Sequence, residues 1–170
     1  MIRSAAIATG SLTVAGAVVY VGWLGQYLVG VHELADGRDW LLLAMLATFA
    51  GDTGAYFTGV TLGRHKMAPA ISPKKTWEGF AGGFAAAVGA AVTVYALGAM
   101  EFDLALALGL GVVIALVGPV GDLAESLLKR GMGVKDASGL VPGHGGFLDR
   151  LDSLLFTVPA TYFFVAWAAT

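Results

Sequence analysis

Between Gly121 and Ser153 the chain reads GDLAESLLKRGMGVKDASGLVPGHGGFLDRLDS. The protein has ten Lys and Arg and twelve Asp and Glu residues, and nine of these charges fall in this one stretch. Charge in so apolar a chain persists where it is solvated, paired or used. Asp122, Glu125, Ser126, Lys129 and Arg130 follow i, i+3, i+4, i+7, i+8 spacing, which lays them along one polar stripe of a helix. Six glycines between 131 and 146 then form a bare-backbone loop carrying Lys135, Asp136 and His144. Asp149, Arg150 and Asp152 close the stretch, with the two carboxylates one helical turn apart. Carboxylates at both ends, cations among them and an open backbone between suit a metal ion and several phosphates.

The elements that must position these residues are hydrocarbon. Hydrophobic residues make up 57% of the chain and charged residues 13%, with a mean hydropathy of +0.77, which is the composition of an integral membrane protein. Cysteine is absent, which excludes disulfides, thiolate nucleophiles and Cys-ligated zinc. Apolar runs over about 5–31, 40–62, 79–100, 104–128 and 151–169 predict an all-α fold of about five transmembrane helices. They form one transmembrane domain over residues 1–170, with a polar site facing the cytosol. The first run, 27 residues long, exceeds a signal-peptide core, and no polar cleavage region follows it.

Loops 63–78 and 129–150 hold eight of the ten Lys and Arg residues, whereas loops 32–39 and 101–103 are mainly acidic. Five spans put the basic loops on one face and the acidic loops on the other. The positive-inside rule then sets the N-terminus in the cytoplasm, the C-terminus outside and the basic loops in the cytosol.

Asp52, in AGDTGAYFTGVTLG, is the first ionisable residue inside a span. At that depth it needs a partner, water or a function, and packing through a hydrogen bond is the plain alternative. Gly51, Ala55, Gly59 and Gly63 share a face that lets another helix approach closely. In the loop GRHKMAPAISPKKTWEG, Pro69 and Pro73 restrict the backbone, and Thr76 or Ser72 can cap a helix starting near Trp77. Lys74 and Lys75 then flank a helix N-terminus, where they suit either a phosphate or anionic lipid headgroups. Pro119, with Gly118 and Gly121, loosens the fourth span just before Asp122. Glu125, Lys129 and Arg130 also suit a simple surface charge ladder. His144, between two glycines, suits a phosphate donor, a metal ligand or an incidental loop residue.

Ser126-Leu-Leu-Lys-Arg, Lys135-Asp136 and Pro142-Gly-His-Gly-Gly-Phe-Leu-Asp-Arg-Leu-Asp152 together resemble the signature of the phosphatidate cytidylyltransferases, or CDP-diacylglycerol synthases. Asp52-Thr-Gly-Ala-Tyr-Phe and Ile71-Ser-Pro-Lys-Lys-Thr-Trp-Glu-Gly79 resemble two further blocks of that family, in the same order. The resemblance covers nearly everything from about residue 40 onward. Members are usually longer, with extra N-terminal spans, and many carry a basic residue where Val60 stands here.

The resemblance implies condensation of CTP with phosphatidic acid to give CDP-diacylglycerol and pyrophosphate, with Mg²⁺ and, in some members, a monovalent cation such as K⁺. It implies Asp122 and Asp149 as leading Mg²⁺ ligands, with Asp152 and Asp52 next. Lys74, Lys75, Lys129, Arg130, Lys135, His144 and Arg150 become phosphate clamps, with Ser72, Thr76 and Ser126 beside the substrates. It also implies a homodimer in the cytoplasmic membrane. The partners are then CTP, phosphatidic acid and the bilayer, with no nucleic acid.

Other readings are narrower. G-x-x-x-x-G-K-[ST] is absent, which disfavours a P-loop enzyme. A CDP-alcohol phosphotransferase requires D-x-x-D-G-x-x-A-R, whereas Ser153-Leu-Leu follows Asp152. A CDP-archaeol synthase or CTP-dependent lipid kinase is a related alternative, and an inactive truncated membrane fragment is another. An ion-coupled transporter should show paired broken helices, and only the break near Pro119 is present.

The orientation is open to direct test, because the chain lacks cysteine. A cysteine placed at Ala70 or Ala137 should react with an impermeant thiol reagent only from the cytosolic side. Labelling of both positions from outside intact cells would reverse the topology.

Overall fold

A tight corner and a hairpin punctuate the helices of this chain. The computed structural model describes residues 22–97, 103–131 and 148–168, with side chains throughout except at 128–131 and 148–152. The first described helix, α1, covers 22–32. Asp36 then adopts a left-handed conformation (φ 54°), one that Asp tolerates better than most residues, and turns the chain into α2, Gly37–Leu62. Asp39 in the first turn complements the positive end of the α2 dipole. At 26 residues α2 is about 39 Å long, enough to cross a hydrocarbon layer of about 30 Å.

Gly63 ends α2 in an extended conformation, and the basic loop that follows is a β-hairpin. Strand β1, Lys66–Ala68, pairs antiparallel with β2, Ser72–Thr76, aligning Lys66 with Thr76 and Ala68 with Ser72 across a register shift. The shift, and the absence of a third strand among the described residues, leave room for Pro73, which cannot donate to a ladder. Thr76 ends β2 and caps the next helix, its Oγ1 accepting from Gly79 N at 3.1 Å. That helix, α3, is Trp77–Ala96; α4 is Leu104–Gly131, and α5 is Leu148–Ala168.

Among the described residues, three helices are long and apolar enough to span a membrane: Gly37–Leu62, Trp77–Ala96 and Leu104–Leu127. The protein is therefore a helical membrane protein, matching the expected all-α class with a two-stranded hairpin added. Of the other two expected spans, 5–31 lies mostly outside the described residues. The one at 151–169 coincides with α5, whose described apolar part, Ser153–Ala168, is shorter.

Packing runs through small residues. A methyl group on Gly83 of α3 would stand 2.8 Å from Gly51 O and 2.9 Å from Ala55 Cβ of α2, and one on Gly54 would stand 2.5 Å from Ala86 Cβ. The small face expected on α2 thus meets a matching face on α3, backbone against backbone. Trp40, Leu43, Ala47, Leu110, Ile114 and Val158 lie in the buried core that α2, α4 and α5 share. Inside it the Thr48 and Thr157 hydroxyls are hydrogen-bonded at 3.0 Å, linking α2 to α5. Tyr27 of α1 packs on Tyr162 and Phe163 of α5, with ring centroids 5.4 Å apart in both pairs.

Replacing Gly83 with Leu should cost about 1–3 kcal/mol or more of stability through overpacking. Gly89 has nothing within 4 Å of a built methyl group, so Gly89→Leu should be tolerated. Thermal melts of the detergent-solubilised variants check this, and equal melting temperatures would contradict the close α2–α3 contact.

Candidate functional site

The hairpin is held in place before it does anything else. Glu78, on the first turn of α3, accepts hydrogen bonds from Arg64 N at 3.1 Å and His65 N at 3.2 Å, and lies 2.6 Å from His65 Nδ1. Trp77 N donates to His65 O at 3.0 Å. The junction of α2 with β1 is thereby stapled to the start of α3. Trp77 and Gly79 have already committed their N–H groups to His65 and Thr76. An anion at this end would therefore meet lysine side chains rather than a bare helix terminus.

From that anchored hairpin Lys75 reaches α4. Its Nζ donates to Asp122 Oδ2 at 2.6 Å, with the two side chains 22% and 26% exposed. Ser153, buried near the start of α5, donates to Asp122 Oδ1 at 2.5 Å. The same hydroxyl lies 3.4 Å from Asp52 Oδ1 of α2. Four elements therefore converge on one point: α2 through Asp52, the hairpin through Lys75, α4 through Asp122 and α5 through Ser153.

The convergence forms the wall of a cavity of about 750 Å³. Asp52, Ser72, Lys74, Lys75, Thr76, Asp122 and Ser126, all expected from sequence, line it. Lys129 and Arg130 follow on the last turns of α4, while Asp149, Arg150 and Asp152 lie on the first turns of α5; only their backbone is described. Lys135 and His144 lie outside the described residues.

Ser153, Lys66 and Glu78 escaped sequence reasoning. Ser153 follows the last acidic residue of the motif, and its signal was a lone hydroxyl opening an apolar run. Lys66 lines the cavity because hairpin register sets it opposite Thr76. Only a reading of 66–76 as paired strands could have found it.

Magnesium binds hard oxygen ligands, often one or two carboxylates supplemented by substrate phosphates. Asp52 and Asp122, on different helices and both at the cavity wall, fit that demand. Each carboxylate oxygen has two acceptor sites, so the bonds to Lys75 and Ser153 leave Asp122 capacity. Among the described residues no group of three His, Cys, Asp or Glu side chains gathers, so a site built of protein ligands alone is not found there.

The sequence profile of the cytidylyltransferase family matches residues 3–168. The phosphatidate cytidylyltransferase of Bacillus subtilis is 39% identical over 151 residues, covering 88% of this chain and 56% of the relative. That of Mycobacterium tuberculosis H37Rv is 43% identical over 129 residues, covering 75% of this chain and 38% of the relative. That of Staphylococcus haemolyticus is 39% identical over 142 residues, covering 84% and 54%. The chain thus spans about half the length, or less, of these curated relatives.

Proposed function

We propose that this chain, which belongs to the cytidylyltransferase family, carries the site of a phosphatidate cytidylyltransferase. It condenses CTP with phosphatidic acid to CDP-diacylglycerol and pyrophosphate, on the cytosolic side of a cytoplasmic membrane that it crosses with five spans. The observation that carries the reading is the meeting of Asp52, Lys75, Asp122 and Ser153 at a cavity rimmed by lysines. A homodimer is the proposed assembly.

The lipid phosphate is already an anion, so the reaction needs no Ser, Cys or His nucleophile. One phosphate oxygen attacks the α-phosphorus of CTP, a new P–O bond forms, and the bond to the β-phosphate bridging oxygen breaks, releasing pyrophosphate. Bringing two anions together is the obstacle, and fixed cations remove most of it. Lys66, Lys74 and Lys75 supply charge from the hairpin, and Lys129, Arg130, Lys135, His144 and Arg150 supply it from the segment after Leu128. Asp122 and Asp52 would hold Mg²⁺, with Asp149 and Asp152 as the further ligands. The ion would neutralise charge on the phosphates when bound. Ser153 keeps Asp122 facing the cavity, and Lys75 is poised to exchange its carboxylate partner for a phosphate.

The test uses the purified chain in phosphatidic acid vesicles with CTP labelled on either the α- or the γ-phosphorus. Label from the α-position should appear in lipid with equimolar pyrophosphate release. Label from the γ-position in lipid would instead reveal a kinase, and no labelled lipid would contradict activity in this chain. Asp122→Asn should keep the protein membrane-inserted, lower turnover about a hundredfold or more, and raise the Mg²⁺ concentration needed for the remainder. Near-normal rates at limiting Mg²⁺ would remove Asp122 from the ligand set.

A further inference from the structure

One turn beyond the meeting of Asp52, Asp122 and Ser153, α2 and α5 share a second polar contact. Thr48 precedes Asp52 by one turn on α2, and Thr157 follows Ser153 by one turn on α5. Ser153 lies against Asp52 at 3.4 Å, and Thr157 against Thr48 at 3.0 Å. The pairs advance in opposite directions, so the two helices run antiparallel with one polar rung per turn. Thr48 and Thr157 are 3% and 0% exposed, withdrawn from water and lipid alike. With its one proton turned to Ala44 O at 2.7 Å, the Thr48 hydroxyl offers a lone pair to the hydroxyl of Thr157. Around this rung the core is apolar, with Leu43, Ala44 and Ala47 from α2 and Leu154 and Val158 from α5. Dispersion between such side chains has little direction, and lipid supplies no hydrophobic force that draws helices together. A hydrogen bond, by contrast, demands both a length and an angle. Slippage by one residue would carry the Ser153 hydroxyl about 1.5 Å along α5 and about 100° around it, away from Asp122.

We propose that Thr157 is a positioning residue, whose hydrogen bond to Thr48 pins α5 against α2 and so delivers the Ser153 hydroxyl to Asp122. The pin rests on the geometry alone; that the groups it positions serve CTP chemistry rests on the function proposed above. Thr157 acts one turn away, through Ser153, whose bond to Asp122 at 2.5 Å holds that carboxylate toward the cavity. The methyl of Thr157 faces α4, its Cγ2 lying 3.8 Å from where a methyl group on Gly118 would stand. Valine at 157 therefore keeps this packing and removes only the pin, while Thr48 keeps its own bond to Ala44 O. A single hydrogen bond between membrane helices adds little to stability. Displacing a reacting group by about 1 Å, however, can cost about a hundredfold in rate. The pin should accordingly matter more to turnover than to folding.

Melting temperatures test the pin without requiring turnover. Ser153→Ala is introduced into the starting chain, into Thr157→Val and into Thr157→Ser, and all are melted in one detergent. With the pin intact, losing the Ser153 hydroxyl should lower the melting temperature. In the Thr157→Val background the same change should lower it by about half as much or less. Thr157→Ser keeps a hydroxyl and should leave the loss at its starting size. Equal losses in all three backgrounds would overturn the proposal, because independent sites add. If Thr157→Val does not fold, Thr48→Ala breaks the same rung from the α2 side and enters the same comparison. In phosphatidic acid vesicles with CTP, Thr157→Val should lower kcat about tenfold or more and raise the Mg²⁺ concentration required, with Thr157→Ser close to the starting chain. Equal rates for the two variants per folded molecule would overturn the proposal as well. No lipid product from the starting chain would instead remove the proposed function, and the melts would still decide the pin.

Discussion

Lys75 and Asp122 stand 47 residues apart in sequence and 2.6 Å apart in the fold. Each is mostly withdrawn from solvent, in a chain with few charges to spare. Removing either partner would leave the other part-buried without its counter-charge, which costs more than breaking a fully exposed pair. The pair therefore does more than hold two side chains. It fixes the hairpin against α4, keeps Lys74 and Ser72 at the cavity, and sets Asp122 where Ser153 can reach its second oxygen.

Packing and function draw on the same small residues. Gly51, Gly59, Gly79 and Gly83 let α2 and α3 touch through their backbones, and each also lines the cavity. Larger side chains would have pushed the helices apart and filled the space between them. The polarity of that space changes along its length, from lysines at the hairpin to alanines at depth.

Much of this was legible in the sequence. Helices α2, α3 and α4 overlap the apolar runs at 40–62, 79–100 and 104–128, with α3 ending at Ala96, because burying backbone in lipid demands unbroken helices. The small face of α2 was visible in its four-residue spacing, and Asp52 and Asp122 were conspicuous as carboxylates at span depth. The hairpin was not legible. Its strands have three and five residues, contain Pro73 and three lysines, and lack the alternation that marks a strand. The contacts of Ser153 were hidden for another reason. They join residues 31 and 101 positions apart, and no local pattern encodes which helix faces which.

The claim on which the rest depends is that the Lys75–Asp122 pair couples the hairpin to α4, and a double-mutant cycle measures it directly. Thermal stability of Lys75→Gln, Asp122→Asn and the double variant would be compared in one detergent at one ionic strength. The structure predicts that each single change destabilises more than its share of the double, with a coupling of about 1 kcal/mol or more. Single effects that add to within about 0.3–0.5 kcal/mol would contradict it, because residues in contact do not behave as independent sites.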